Sequence, residues 1–368
     1  MINENRLIET FLTLVKIRSE SKFEAEIAKK VEEIFANLGF SSEFDEAHKN
    51  FGGNCGNMII RIDGDKSKEA ILLSAHLDTV VAGGEIVPVI ENGVIKSSGN
   101  SILGADDKAG ISAIIEVISV LKERKISRPP IIVALSVAEE IGVLGAKFIN
   151  LSEKDAKFGV VLDTSGEIGT IVKEAPFHDN FTIKIHGKSA HAGIEPEKGI
   201  NAISLAGELL KTLPTGRISQ NSSANLGTIS GGTADNIVPN LVKITGEIRS
   251  TDLEKIREIG EIYKKSVANF NETHNNCAEI LTEREYNGYT LGENSEILQK
   301  LSQAAKKIGK TPKIISTGGG SDANFFNEKG IPTSVISCGM ANVHTHSEYI
   351  KIVDLVDCAK MLLAFVSE

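Results

Sequence analysis

Leu7, Ile8, Phe11, Leu12, Leu14 and Val15 recur at helical spacing and predict an amphipathic helix near the start of the chain. Ser21-Lys22-Phe23-Glu24 has the spacing of a capping box. It predicts a second helix through Ile27, Val31, Ile34 and Phe35 that stops at Gly39. Residues 58–62 and 70–74 predict strands, and the second is almost wholly apolar, as suits a strand covered on both faces. The glycine-rich stretch 83–99 predicts a hairpin or irregular loop, and a helix follows over about 108–122. After Pro129-Pro130 come a second buried-type strand at 131–137, a short helix at 143–148 and a strand at 159–162. Strand, helix, strand, helix, strand is the rhythm of an α/β sheet.

Beyond residue 178 the pattern changes. Phe181, Ile183 and Ile185 alternate with Thr182 and Lys184, predicting a strand with one buried face. A helix at 202–213, strands at 224–229 and 242–249, a long helix at 253–270 and a strand at 277–282 follow. That order suggests an α+β unit on an antiparallel sheet, of ferredoxin-like type, inserted at 178–285. Residues 1–177 and 286–368 then form one domain. The returning piece has helices at 297–307 and 355–366, a short strand near Ile314 and a strand at 333–337.

Composition narrows the function. Lys plus Arg number 40 and Asp plus Glu 49, a net charge of −9 with no basic block, which argues against nucleic acid or an anionic membrane as partner. Four scattered cysteines contain no CxxC pair and read as reduced thiols. With no signal-like segment at the start and no run long enough to span a membrane, the expectation is a cytoplasmic protein.

The candidate chemistry lies in carboxylates and imidazoles. His76, Glu139, Glu140 and Asp163 each fall at or just past the end of a strand-like run, the edge at which open α/β sheets place their active sites. Asp106 and Asp107 sit between Gly104 and Gly110 before an apolar helix; taken alone they read as a charged helix cap. With His344 they make a nitrogen and oxygen donor set of the kind that holds a pair of catalytic divalent ions; a ligand shared by two ions must offer two oxygens, and Asp106 is the candidate. Asp78, two residues past His76, is suited to hold the second ring nitrogen. Neighbouring side chains at a strand end point different ways, so one of Glu139 and Glu140 can bind metal while the other serves as general base.

These motifs resemble the M20 metallopeptidases, and within them the peptidase T-like (tripeptide aminopeptidase) branch. The resemblance is carried by Ser74-Ala75-His76-Leu77-Asp78-Thr79-Val80, by residues 104–110, by Glu139-Glu140-Ile141-Gly142, by Leu162-Asp163 and by Val343-His344-Thr345-His346-Ser347-Glu348-Tyr349, in the family's order. It implies a mixed-sheet, zinc-exopeptidase-like catalytic domain with an inserted lid domain, two divalent ions (zinc, with cobalt or manganese as alternatives), a short peptide substrate and a homodimer through the lid. It implies that His76 and Asp163 bind one metal, Glu140 and His344 the other, and that Asp106 bridges. Asp78 would orient His76, and Glu139 would be the base. His344 is preferred over His346 because the family places a Glu four residues after its ligand, and Glu348 fits. Gly187-Lys188-Ser189-Ala190-His191-Ala192-Gly193 matches the lid motif, with His191 as the oxyanion donor. Asn236 and Arg249 would be the lid's substrate groups, Arg249 gripping a carboxylate. Residues 318–320 lack a phosphate-loop ending and read as a tight turn whose amides, Gly319 among them, face the substrate.

Two other readings follow from the same residues. An N-acyl-amino-acid amidohydrolase or a dipeptidase would share the fold and differ at the substrate's amine end. A non-catalytic binding protein would lack a ligand or the base, and every expected position is filled.

Overall fold

The computed structural model describes residues 1–367, which divide into two compact units. The first comprises residues 1–174, 290–317 and 321–368, the second residues 175–289 with 318–320.

The first unit is built on a nine-stranded mixed sheet. At its centre Ile131–Ser136, Ile71–His76, Phe158–Thr164 and Thr333–Ser337 run parallel in that order. Their apolar side chains are almost all buried, which is why these segments read as continuous hydrophobic runs. Antiparallel strands flank them: Met58–Ile62 and Ser42–Phe44 on one side, Thr170–Ala175 on the other. Helix Ala105–Glu123 packs on strands Ile71–His76 and Phe158–Thr164 and against helices Glu4–Val15 and Ile352–Val366. It is buried from Ala105 to Leu121, so it carries apolar residues all round. Gly110 is where it touches the sheet: a Cβ there would lie 2.7 Å from the Leu162 carbonyl oxygen and 2.5 Å from Asp107 Oδ1. The glycine-rich stretch forms a hairpin, Pro88–Glu91 with Val94–Ser97.

The second unit is a five-stranded antiparallel sheet in the order Gly216–Ser219, Ser222–Gly231, Leu241–Ser250, Phe177–His186, Ala278–Tyr286. Helices Ala202–Leu210 and Leu253–Thr273 cover one face, with Phe181, Ile183, Ile185, Ile244, Ile248 and Tyr263 in the core. No helix among the described residues is long and apolar enough to cross a membrane.

The structure departs from the sequence expectations in several places. The Ser21–Glu24 capping box does not form. The helix is Ala25–Asn37, Glu24 is its N-cap residue and caps nothing with its side chain, and Ser21 donates to Asp78 instead. Strands Thr170–Ala175 and Gly216–Ser219 and helix Asp322–Glu328 were not expected. That helix has seven residues and is capped by Ser321 with Asn324 rather than by the Ser and Glu of the usual signature.

Candidate metal centre

His76 ends its strand, and Asp163 lies in the last turn of the neighbouring strand rather than beyond it. Asp106 and Asp107 have non-helical backbone angles, so the regular helix starts after them and both carboxylates are free to turn toward the sheet. His344 follows the two-residue strand Met340–Ala341, at φ +63. These positions converge. His76 Nε2 is 3.0 Å from Asp106 Oδ1 and 3.8 Å from Asp163 Oδ1. His344 Nε2 is 3.2 Å from Asp106 Oδ2 and 3.0 Å from Glu140 Oε1. Asp106 thus presents one oxygen to each imidazole. The ring of His346 lies instead against Gly83, where an added Cβ would meet its Nε2 at 2.7 Å.

Asp78 meets His76 Nδ1 with its backbone as well as its carboxylate. Its backbone carbonyl accepts at 2.9 Å from His76 Nδ1, while its carboxylate stands 3.5 Å from that nitrogen. The carboxylate accepts from the Glu139 amide at 2.9 Å, the Glu140 amide at 3.1 Å and Ser21 Oγ at 2.6 Å.

Three further acids support the centre, Asp107 and Glu348 from the quoted motifs and Asp322 from outside them. Asp107 accepts from the His76 amide at 3.3 Å and the Gly110 amide at 3.1 Å. Glu348 accepts from the amides of Leu103, Gly104 and Asp106 at 2.7, 2.7 and 3.0 Å, which fixes the loop that carries Asp106. Asp322 accepts from Ser136 Oγ at 2.6 Å and Ser74 Oγ at 3.4 Å, tying together the strands that lead to Glu139 and His76.

The electrostatics are those of crowded, buried acids. Burial alone would raise the Asp106 carboxyl, yet hydrogen bonds from His344 and His76 hold it far below its usual range. Burial would lower the His76 imidazole, but Asp106, Asp78 and Asp163 outweigh it and hold the ring protonated well above the usual value. Asp106 and Glu140 lift His344 to about 10. Burial, then the proximity of Asp163, pushes the Glu139 carboxyl well above its usual range. Buried acids at this density need a cation to balance them. Glu140 Oε1 is buried and makes no hydrogen bond, although His344 Nε2 is near. Among the described residues, two groups of donors are close enough to hold an ion: His76, Asp106 and Glu140, and His76, Asp107 and Asp163. Nitrogen and oxygen donors without thiolate suit a divalent cation such as zinc, cobalt or manganese, so the residues present fit a catalytic metal.

Within the second unit, His191 and Asn236 lie together. The segments bearing them pair, with the Ala192 amide donating to the Asn236 carbonyl and the Val238 amide to the Ala190 carbonyl. Arg249 and the glycine turn also lie together: Nη1 donates to the Gly318 carbonyl at 3.3 Å, and Nη2 meets Glu247 at 3.0 Å. Gly319 sits in that turn. The two pairs are not brought together. Strand Leu241–Ser250 begins beside the His191 pair and ends at Arg249, a separation on the order of 25 Å at strand rise.

Imidazoles and carboxylates gathered at the carboxyl edge of an α/β sheet define a metal-dependent hydrolase. The sequence profile of peptidase family M20/M25/M40 matches residues 72–368. The chain belongs to that family, whose peptidases are metal-dependent, and it is a metallopeptidase. It is 40% identical to the uncharacterized protein YqjE of Bacillus subtilis (strain 168), over 100% of this chain and 99% of that one. The crystal structure of aminopeptidase PepT from Bacillus cereus ATCC 10987 is 38% identical with a TM-score of 0.89, covering 100% of this chain and 98% of that one. A tripeptidase from Staphylococcus aureus subsp. aureus mu50 is 34% identical with a TM-score of 0.92 and the same coverage.

Proposed function

We propose that this chain is a two-cation aminopeptidase that removes the N-terminal residue from short peptides such as tripeptides. The observation that carries the reading is the split of Asp106, one oxygen toward His76 and the other toward His344. In this reading His76 and Asp163 hold one ion, Glu140 and His344 the other, and Asp106 both; zinc is the favoured metal. When bound, such ions polarise the scissile carbonyl and lower the pKa of water from ~15.7 to roughly 7. Glu139 takes the proton from the attacking water and returns it to the departing amine, work for which a raised pKa is suited. His191 steadies the oxygen on which charge develops, with Asn236 beside it, and Arg249 with the Gly319 turn receives the substrate's carboxylate.

A homodimer is part of the proposal. One short peptide does not span the distance between the His191 and Arg249 pairs, so a second copy would supply one of them. Strand Ser222–Gly231 supports it: strand Gly216–Ser219 covers only residues 222–224, and among the described residues 225–231 have no neighbour on that side. An open edge of this length invites pairing with another strand.

The test is to assay a tripeptide beside its N-acetylated form. A chelator should abolish turnover and zinc or cobalt should restore it. The free tripeptide should be cleaved and the acetylated one spared. Turnover of the acetylated compound alone would assign the chain to N-acyl amino acids instead.

A further inference from the structure

Four consecutive amides lead into and through the acid pair, and each donates to a side-chain oxygen. Val137 donates to Asn57 Oδ1 at 3.1 Å, Ala138 to Glu24 Oε1 at 2.9 Å, Glu139 to Asp78 Oδ1 at 2.9 Å and Glu140 to Asp78 Oδ2 at 3.1 Å. A loop leaving a sheet ordinarily gives its amides to water or to neighbouring backbone. Here three side chains from different parts of the chain hold every one.

Glu24 is the least expected of the three. Its side chain is wholly buried, Oε1 accepts from the amides of both Lys22 and Ala138, and Oε2 is buried with no hydrogen bond. As the N-cap residue of helix Ala25–Asn37 it does nothing for the helix, where Ser, Asp or Asn would serve better. Burying an acid is costly without a return elsewhere. The residue it holds, Ala138, has φ +53, a left-handed conformation that costs a residue bearing Cβ roughly 1 kcal/mol or more. Glu139 follows directly. Ser21, from the same short segment, donates to the carboxylate of Asp78 that holds the next two amides.

We propose that Glu24 is a positioning residue for Glu139: by holding the Ala138 amide it keeps that residue in its left-handed conformation and so aims the Glu139 carboxylate. The proposal rests on the reading of Glu139 as the base. Glu24 touches none of the five expected metal donors, so it acts on the rate and not on metal or substrate binding.

The experiment compares metal-loaded Glu24→Ala, Glu24→Gln and Glu24→Asp, with Glu139→Ala alone and combined with each, by kcat, KM for a tripeptide, bound zinc and thermal midpoint. Misplacing a catalytic group by about 1 Å can cost up to ~100-fold, so Glu24→Ala should lower kcat by about 10-fold or more with KM and zinc content little changed. Glu24→Gln keeps an acceptor oxygen and should recover most of the rate. Glu24→Asp keeps the charge but shortens the reach, should behave like Glu24→Ala, and reads the same question if the alanine variant does not fold. In the Glu139→Ala background no Glu24 change should lower the residual rate further. A wild-type kcat in folded Glu24→Ala or Glu24→Asp, or an undiminished penalty in the Glu139→Ala background, overturns the proposal. Full activity of Glu139→Ala by itself would overturn it too, by removing the base on which it depends, and that result is distinguishable from the others.

Discussion

At the scale of single residues, the centre is a contest between protons and cations for the same donors. His344 is held protonated by Asp106 and Glu140 up to about 10, and His76 is likewise held well above its usual value. A metal takes only the neutral imidazole, so at pH 7 each must give up its proton as an ion arrives. The sign follows: protons compete with the metal, and affinity rises with pH until His344 is neutral without help. Titrating zinc into metal-free protein at pH 7, in two buffers of different ionisation enthalpy, should show release of roughly two protons in total. A value near zero would mean that these imidazoles are not the ligands. The candidate donors that the structure brings together were legible in the sequence because each sits at a strand end or a glycine-bounded loop. Their supports were not. Glu24 meets Ala138 across 114 residues, Ser136 meets Asp322 across 186, and Asp106 meets Glu348 across 242. Acids that accept from distant backbone amides leave no spacing to read.

At the scale of elements, burial decided what could be read. The central parallel strands are covered on both faces and announce themselves as apolar runs; Thr170–Ala175, partly exposed toward its end, does not. The Ser21–Glu24 spacing misled because Asp78 and the Ala138 amide outbid the helix end for both side chains. Helix Ala105–Glu123 hides a further cost of function within an apolar element. Lys108 is fully buried and donates to the Ile17 carbonyl at 2.6 Å. Burial lowers its pKa from 10.5 to about 8, and the charges of Glu348 and Glu20 only partly offset that. Between these values the unfolded chain binds a proton that the folded chain has lost, so the contribution of Lys108 to stability rises with pH from about 8 to 10.5. Denaturant unfolding of metal-free wild type and Lys108→Met at pH 7.5, 9 and 10 (buffer values) should show the wild type gaining on the variant by on the order of 1 kcal/mol per pH unit. Parallel stability profiles would show that the ammonium stays hydrated.

At the scale of the whole molecule, the groups proposed to meet substrate lie at two ends of the second unit's sheet, and the proposed homodimer turns that separation into a requirement for two chains. If His191 serves the partner's centre, Glu139→Ala and His191→Ala damage different centres of a mixed dimer. The chain lacking His191 keeps an intact base and receives an intact His191 from its partner, whereas the other centre lacks both. Two variants that are each nearly inactive should therefore regain activity when co-refolded or co-expressed. Random pairing makes half the dimers mixed, each with one complete centre of two, so recovery should approach roughly a quarter of the wild-type rate. Thr228→Pro tests the edge, because it takes one backbone donor out of a stretch that no described strand pairs on its outer side. Mixtures carrying that change should lose complementation in step with the dimer peak by size-exclusion chromatography. Equal activity of mixed and unmixed variants, with a dimer present, would place His191 in the service of its own chain.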